Sequence, residues 1–299
     1  MKKYLALFLF LSIIAGDQPD TLNFGYTNIL EGGPTHPSYG LYLYPYAAYY
    51  HTNTFKDQFG RRLGSNEPNF DLIWGILEIL YQTESHPILN ARLGLDVELF
   101  FDLYSKVSEN KLDITSSGSG FSDPYIGLYL QWEPIMWANR PLFVHKFEFA
   151  ASFPAGKFNK NFTFNPGNGL YYINPNWSAT LYLMPRWATS WNLNYVWSSV
   201  NKHNGVQPGQ AILLNYSMEV EARKNWWIAV NGYFLQQFTD TKVDGVAIPG
   251  RRDRVFAIGP GMLYSPREDM NFFAHLYFES KARNITQGIS LIISFNKNF

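Results

Sequence analysis

Cysteine is absent from the 299-residue chain, which excludes disulfides, thiolate metal centres and thiol nucleophiles. Net charge is absent too, since 24 Lys and Arg balance 24 Asp and Glu. Nucleic-acid binding needs a basic footprint that this balance does not supply, so nucleic acid is not an expected partner. No apolar run reaches the roughly 20 residues of a membrane-spanning helix; the stretch from Tyr4 to Ala15 falls short. There is no Walker loop, no G-x-G-x-x-G, no nucleophile elbow and no H-E-x-x-H. His36, His51, His86, His145, His203 and His275 are spread over different segments without the spacing of a metal site. Neither a metal nor a cofactor is therefore expected.

Aromatic residues are plentiful: 20 Tyr, 24 Phe and 9 Trp make up 18% of the chain. A water-soluble domain of this size would struggle to bury them, whereas the interfacial girdles of a membrane barrel use Tyr and Trp. At the amino end, Lys2 and Lys3, the apolar Tyr4 to Ala15, then Gly16 before Asp17-Gln18-Pro19 have the layout of a secretory signal peptide. It is expected over residues 1–16, with cleavage after Gly16. At the carboxyl end Phe299, Phe295, Ile293, Leu291 and Ile289 alternate with Asn298, Asn296, Ser294, Ile292 and Ser290. A last strand that is apolar at every second residue and closes on Phe is the form carried by barrels of the bacterial outer membrane. Phe299 is thus the expected signal to the barrel-assembly machinery, and outer-membrane lipid the expected surrounding.

Segments of alternating hydrophobicity follow one another from Tyr39 onward, which predicts an all-β fold: an antiparallel transmembrane β-barrel of about 12 strands, outer-membrane type. The expected strands are Tyr39–His51, Asn69–Thr83, Pro87–Tyr104, Phe121–Trp132, Leu142–Phe153, Ile173–Met184, Ala188–Val200, Gln210–Ala222, Trp226–Thr239, Arg254–Ser265, Met270–Lys281 and Ile285–Asn296. Their connections alternate between short links, such as Pro185-Arg186-Trp187 and Arg223-Lys224-Asn225, and long polar ones, such as Ala155–Tyr172 and Asp240–Asp253. Short periplasmic turns and long outer loops demand that alternation. The barrel is expected over residues 39–299. Residues 17–38 precede it and are long enough either to fold back into the lumen as a plug or to hang free as a periplasmic tail.

Parity within strands assigns faces. In the eighth strand Ile212, Leu214, Tyr216, Met218 and Val220 oppose Asn215, Ser217, Glu219 and Glu221; in the third, Leu89, Ala91, Leu93, Leu95, Val97, Leu99 and Phe101 oppose Arg92, Asp96, Glu98 and Asp102. A Lys or Arg facing lipid at the midplane costs about 2–4 kcal/mol, so the charged faces belong to the lumen. The same rule assigns Asp123, Gln131, Lys146, Glu148, His275, Glu279 and Lys281 to it. About twelve strands enclose a narrow pore, wider than the roughly eight-stranded barrel that side chains fill.

Two motifs invite a chemical reading. His36-Pro37-Ser38 is the only His-x-Ser pair, the arrangement a lipid-cleaving barrel enzyme would carry on a strand, but it precedes the first strand and contains a proline. Ser116-Ser117-Gly118-Ser119-Gly120 precedes a strand and lacks the helix N-terminus of a phosphate cradle.

Several motifs occur together in order: Asp123-Pro124-Tyr125, Phe153-Pro154-Ala155-Gly156, Asn165-Pro166-Gly167, Gly232-Tyr233 with Gln236, Gln237 and Thr239-Asp240, and Ala257-Ile258-Gly259-Pro260. In these the chain resembles the outer-membrane family named for the meta-pathway of phenol degradation. The resemblance implies a channel for passive uptake of small hydrophobic or aromatic compounds that feeds catabolism. A lipid-acting enzyme and a non-conducting structural or adhesive barrel remain as alternatives. In the channel reading, aromatic residues of the outer loops, Phe162, Phe164, Tyr171 and Tyr172, capture apolar solutes, and the tight turn at Asn165, Pro166 and Gly167 forms a constriction.

Overall fold

A strand with an apolar face survives in hydrocarbon only if its backbone N–H and C=O groups are paired on both sides, because each unpaired group costs several kcal/mol there. Closure of the sheet is the solution. The computed structural model describes residues 17–34, 38–63, 69–108 and 114–299; the leader up to Gly16 and the His36-Pro37 pair lie outside them. Twelve long strands succeed one another: β1 Gly40–Thr52, β2 Asn69–Gln82, β3 Arg92–Ser108, β4 Tyr125–Gln131, β5 Arg140–Ser152, β6 Tyr172–Met184, β7 Trp187–Ser198, β8 Ala211–Arg223, β9 Trp226–Gln237, β10 Arg254–Arg267, β11 Met270–Arg283 and β12 Ile289–Asn298. Each pairs antiparallel with its neighbours in sequence, and β12 pairs with β1 in the register Ala48↔Ile292. The ring therefore has no free edge.

The outside is apolar. Leu95, Leu128, Phe149, Met218, Val230 and Ile293 are each more than 40% exposed, a continuous band that water would penalise and acyl chains accept. Inward positions carry Asn174, Asn176, Ser178, Asn192, Asn194, Asn215 and Ser217, all buried. This hydrophobic-out, polar-in order inverts that of a soluble protein and places the barrel in the bacterial outer membrane.

Two boundaries departed from simple alternation. Residues expected to open the third strand, Pro87 to Leu89, form a turn instead, where Leu89 and Asn90 adopt φ of 51° and 57°. Local parity cannot register such a reversal. In β11 the ladder to β10 shifts between the pairs Arg254↔Arg283 and Phe256↔Ser280, with Lys281 at φ 55°, and this bulge inverts the faces beyond it.

Twelve strands leave more room than wall side chains fill, and residues 17–34 lie in it. Leu22 and Tyr26 join Tyr46, Ile76, Phe100, Tyr125, Tyr172 and Tyr277 in the largest buried cluster. The segment starts at the long-loop end, where the Gln18 side chain donates to the Gly209 carbonyl at 2.7 Å. Midway, Asn28 Nδ2 donates to the Tyr277 hydroxyl at 2.6 Å; lower, the Gly32 N–H donates to Thr180 Oγ1 at 2.8 Å. Glycine is required at position 32, because a Cβ there would lie 2.2 Å from the Val144 carbonyl oxygen.

Candidate functional site

Four spaces lie along the barrel axis. At the long-loop end a vestibule of about 290 Å³ is lined by Asp17, Gln18, Phe158, Phe162 and Leu170. Below it, a cavity of about 110 Å³ is walled by Phe24 and Tyr26 of the inner segment, Tyr50 of β1, Phe70 and Trp74 of β2, Tyr233 of β9 and Phe164 of the loop after β5. The two share Asp20 and Asn165. A waist of about 50 Å³ follows, then a cavity of about 310 Å³ at the short-turn end. Waist and lower cavity share Glu31, Tyr46, Glu78 and Lys146, so the series is continuous through its lining residues.

The aromatic cavity is built by ring packing. Phe164 stacks on Phe70 with centroids 3.9 Å apart and planes at 10°; Tyr26 tilts against Trp74 at 4.7 Å; Phe24 meets the edge of Tyr233 at 5.6 Å. Three carboxylates also line it, Asp20, Asp102 and Glu279, and Glu279 is occupied by hydroxyls: Tyr233 donates to Oε1 at 2.6 Å and Tyr50 to Oε2 at 2.8 Å. Seven aromatic rings and the aliphatic Leu72, Ile285 and Ile292 make up its apolar surface.

The waist is acidic. Carboxylate oxygens of Glu78, Asp96 and Glu98 lie within 4.8 Å of one another, and Glu31 and Glu148 line the same space with a single cation, Lys146. Glu78 accepts from the Tyr46 hydroxyl at 2.6 Å, and Glu148 accepts from Asn176 Nδ2 at 2.8 Å. Glycine at position 127 makes space for Glu148, whose Oε1 stands 2.0 Å from where a Cβ would be. Asp96, opposite Gly127 on β3, has an oxygen with no hydrogen-bond partner.

Other residues singled out from the sequence have separate places. Glu219 accepts from Ser190 at 2.5 Å and from the Leu30 N–H at 3.3 Å, tying β8 to the inner segment. Gln131 donates to the Gly32 carbonyl at 3.1 Å, and His275 pairs with Asn231 at 2.6 Å. Arg92 sits at the short-turn end, donating to Glu133 at 2.8 Å and to the Glu84 carbonyl at 2.6 Å. Burial works against the Glu133 charge, but the bonds from His86 and Arg92 prevail and hold its carboxyl below the usual range. Glu221 is half-buried and accepts from the Asn225 N–H of a turn, at 3.0 Å. Asp123 holds the loop after β5 in place: it accepts from the Gly156 N–H at 2.8 Å and the Asn168 N–H at 2.6 Å. Burial raises its carboxyl above the ordinary range despite these bonds.

The loop residues divide. Phe162, Asn165 and Gly167 line the vestibule, and Pro166 accepts from the Ser122 hydroxyl. Phe164 and Asn165 reach the aromatic cavity. Tyr172 points inward and its hydroxyl meets Thr21 Oγ1 at 2.9 Å. Two expectations are corrected. Tyr171 is 51% exposed and faces outward, edge-on to Phe153 at 6.1 Å, because it precedes the inward Tyr172 by one residue. Lys281 is exposed, its ammonium 5.8 Å from the Phe256 ring on the outer face, since the β11 bulge turns Ala282 inward in its stead. Sequence reasoning missed Glu78, Phe70 and Trp74; Glu78 marks the inner phase of β2, and Phe70 and Trp74 share that phase by parity alone.

Comparison with solved structures gives one extensive superposition and several weaker ones. The COG4313 outer membrane channel from Pseudomonas putida F1 superposes with a TM-score of 0.77 at 14% identity, covering 91% of this chain and 99% of that one. The translocator domain of the autotransporter NalP from Neisseria meningitidis gives a TM-score of 0.48 at 8% identity over 88% of this chain and 90% of that one. The CymD monoaromatic hydrocarbon channel gives 0.43 at 8% identity over 88% and 89%. No curated protein matches the chain in sequence. The likeness to the COG4313 channel establishes the fold; membership comes from the sequence, where residues 49–295 match a family model described as "Putative MetA-pathway of phenol degradation", and the chain belongs to that family.

Proposed function

We propose that this barrel is a passive outer-membrane channel for small hydrophobic or aromatic compounds feeding catabolism, with no catalytic role of its own. The carrying observation is the aromatic cavity between the inner segment and the β1–β2 wall. Its volume of about 110 Å³ is close to the ~150 Å³ of an engineered apolar cavity that takes up benzene. A solute entering past Phe162 meets ring faces worth about 0.5–1.5 kcal/mol each, beyond the area they bury.

The waist separates solutes at rest. At about 50 Å³ it has room for about four waters, at the ~10–15 Å³ each requires, and not for a ring. Residues 17–34 act as a plug, and passage of a ring requires them to yield. Lipid surrounds the outer band, and Phe299, exposed beyond β12 with its N–H bonded to the Leu41 carbonyl at 2.9 Å, serves the barrel-assembly machinery as the end signal.

Proteoliposomes carrying the protein should take up phenol faster than a sugar of equal size. Phe164→Ala or Trp74→Ala should slow phenol several-fold, as expected from losing one ring contact of about 1 kcal/mol, while leaving the slow sugar rate unchanged. Equal permeation of both solutes would refute the channel assignment. Permeation of neither, even after deletion of residues 17–34, would favour the structural barrel that the filled waist suggests.

A further inference from the structure

At the long-loop end the side chain of the first residue of the inner segment is buried against the loop between β9 and β10. Arg251, 1% exposed, grips the Asp17 side chain with two bonds, Nε to Oδ2 at 2.7 Å and Nη2 to Oδ1 at 2.5 Å. The backbone nitrogen of Asp17 stands 2.5 Å from Asp253 Oδ2, and the Gln18 N–H donates to the same oxygen at 2.9 Å. Asp253 is fully buried, and its other oxygen has no partner. The charges do not balance: two carboxylates, Asp17 and Asp253, face one guanidinium. Burial, followed by the negative charge of Asp17, pushes the Asp253 carboxyl well above its usual range. A buried charge of this kind calls for a second cation.

The sequence supplies one. Its signal-peptide layout ends at Gly16, so the nitrogen pointing at Asp253 is the one that cleavage would free. We propose that signal-peptide removal at Gly16–Asp17 creates the missing cation, and that Asp253 is a built receptor for the α-ammonium of Asp17. In the processing step water hydrolyses the peptide bond under a signal peptidase. Hydroxide adds to the Gly16 carbonyl carbon, the C–N bond breaks, and the departing nitrogen keeps its electron pair and takes protons to become an ammonium. Docked, it completes a neutral set of four: ammonium and Arg251 against Asp17 and Asp253. The free end of the inner segment is then fastened at the outer mouth, as its other end is fastened covalently to β1. This assignment is independent of which solute the barrel carries.

The test uses the processed protein purified from outer membranes. Intact mass should place the mature start at Asp17. Acylation of the α-amine at neutral pH, followed by mass spectrometry of the terminal peptide, should be at least tenfold slower in the folded barrel than in urea. The amine faces Asp253 and the Asp17 carboxylate as anions and Arg251 as a cation; Gln18 and Gln237 add no charge. Pairing with Asp253 should therefore lift its pKa at least one unit above the ordinary ~7.7–8.0, read from isotope-labelled methylamine signals in folded protein. Asp253→Asn should return both rate and pKa to ordinary values. An alanine inserted between Gly16 and Asp17 should do the same with Asp253 intact, which decides the matter if D253N does not fold. A mature start elsewhere, equal labelling of folded and unfolded wild type, or an amine indifferent to both variants would overturn the proposal.

Discussion

Asp96→Asn should stabilise the barrel. Three carboxylates whose oxygens lie within 4.8 Å of one another repel at about 332/(20 × 4.8), or ~3.5 kcal/mol per ionised pair, at the effective dielectric of about 20 appropriate to such sites. Asp96 takes part in two of these pairs, for a gross repulsion of about 7 kcal/mol. Most of this is offset, because Lys146 lines the same space and its attraction to Asp96 is lost as well. The isosteric amide also gains two donors that Glu78 or Glu98 can accept. A net gain of about 1–3 kcal/mol is expected, within the roughly 0.5–3 kcal/mol by which residues of one polar network couple. The assay is reversible urea unfolding in lipid vesicles at pH 8, followed by tryptophan fluorescence and by the gel mobility of the folded form. Lys146→Met is the companion: removing the one cation that lines the waist should destabilise the barrel, and measurably less in the Asp96→Asn background. A loss of stability in D96N, or additivity of the two changes, would refute this account of the waist.

Two further outcomes follow from the loops and turns. Asp123→Ala removes a charged acceptor from two backbone N–H groups, each bond worth about 1.5–3 kcal/mol; the loop after β5 should loosen, and trypsin should cut intact barrels at Lys157 and Lys160 faster, with the remaining strands protected. Asp269 is held below the usual carboxyl range by its bond from Lys297, then by Arg267. A depressed value means that its contribution is complete above the unfolded value near 3.9 and disappears as pH falls through the folded one. The acid dependence of the urea midpoint should shrink in Asp269→Asn and in high salt, because the group is at the surface.

Period-two patterning made the strands legible, because each residue of a membrane barrel answers to one of two solvents and the answer alternates along the chain. It worked best where the pattern was uninterrupted, as in β8, where Met218 is exposed and Glu219 buried. It failed at Pro87–Leu89 and at Lys281, where left-handed residues reverse or advance the backbone without altering composition. Glu78 was passed over because it stands among Ile76, Leu77, Ile79 and Leu80, so its phase carried the only sign that it faces inward.

The amino-acid order determined the strands, their inward and outward faces and the closed antiparallel ring, since these rest on local alternation and on the cost of unpaired backbone in lipid. Only the tertiary structure decided which inward residues share a space. Phe70 and Phe164 stack from β2 and a loop far along the chain, Glu78 and Glu98 face one another across paired strands with the Asp96 carboxylate close to both, and Asp17 finds Asp253 at a separation of 236 residues. Those meetings depend on barrel registration and on the path of residues 17–34 through the lumen, long-range quantities that no local pattern encodes.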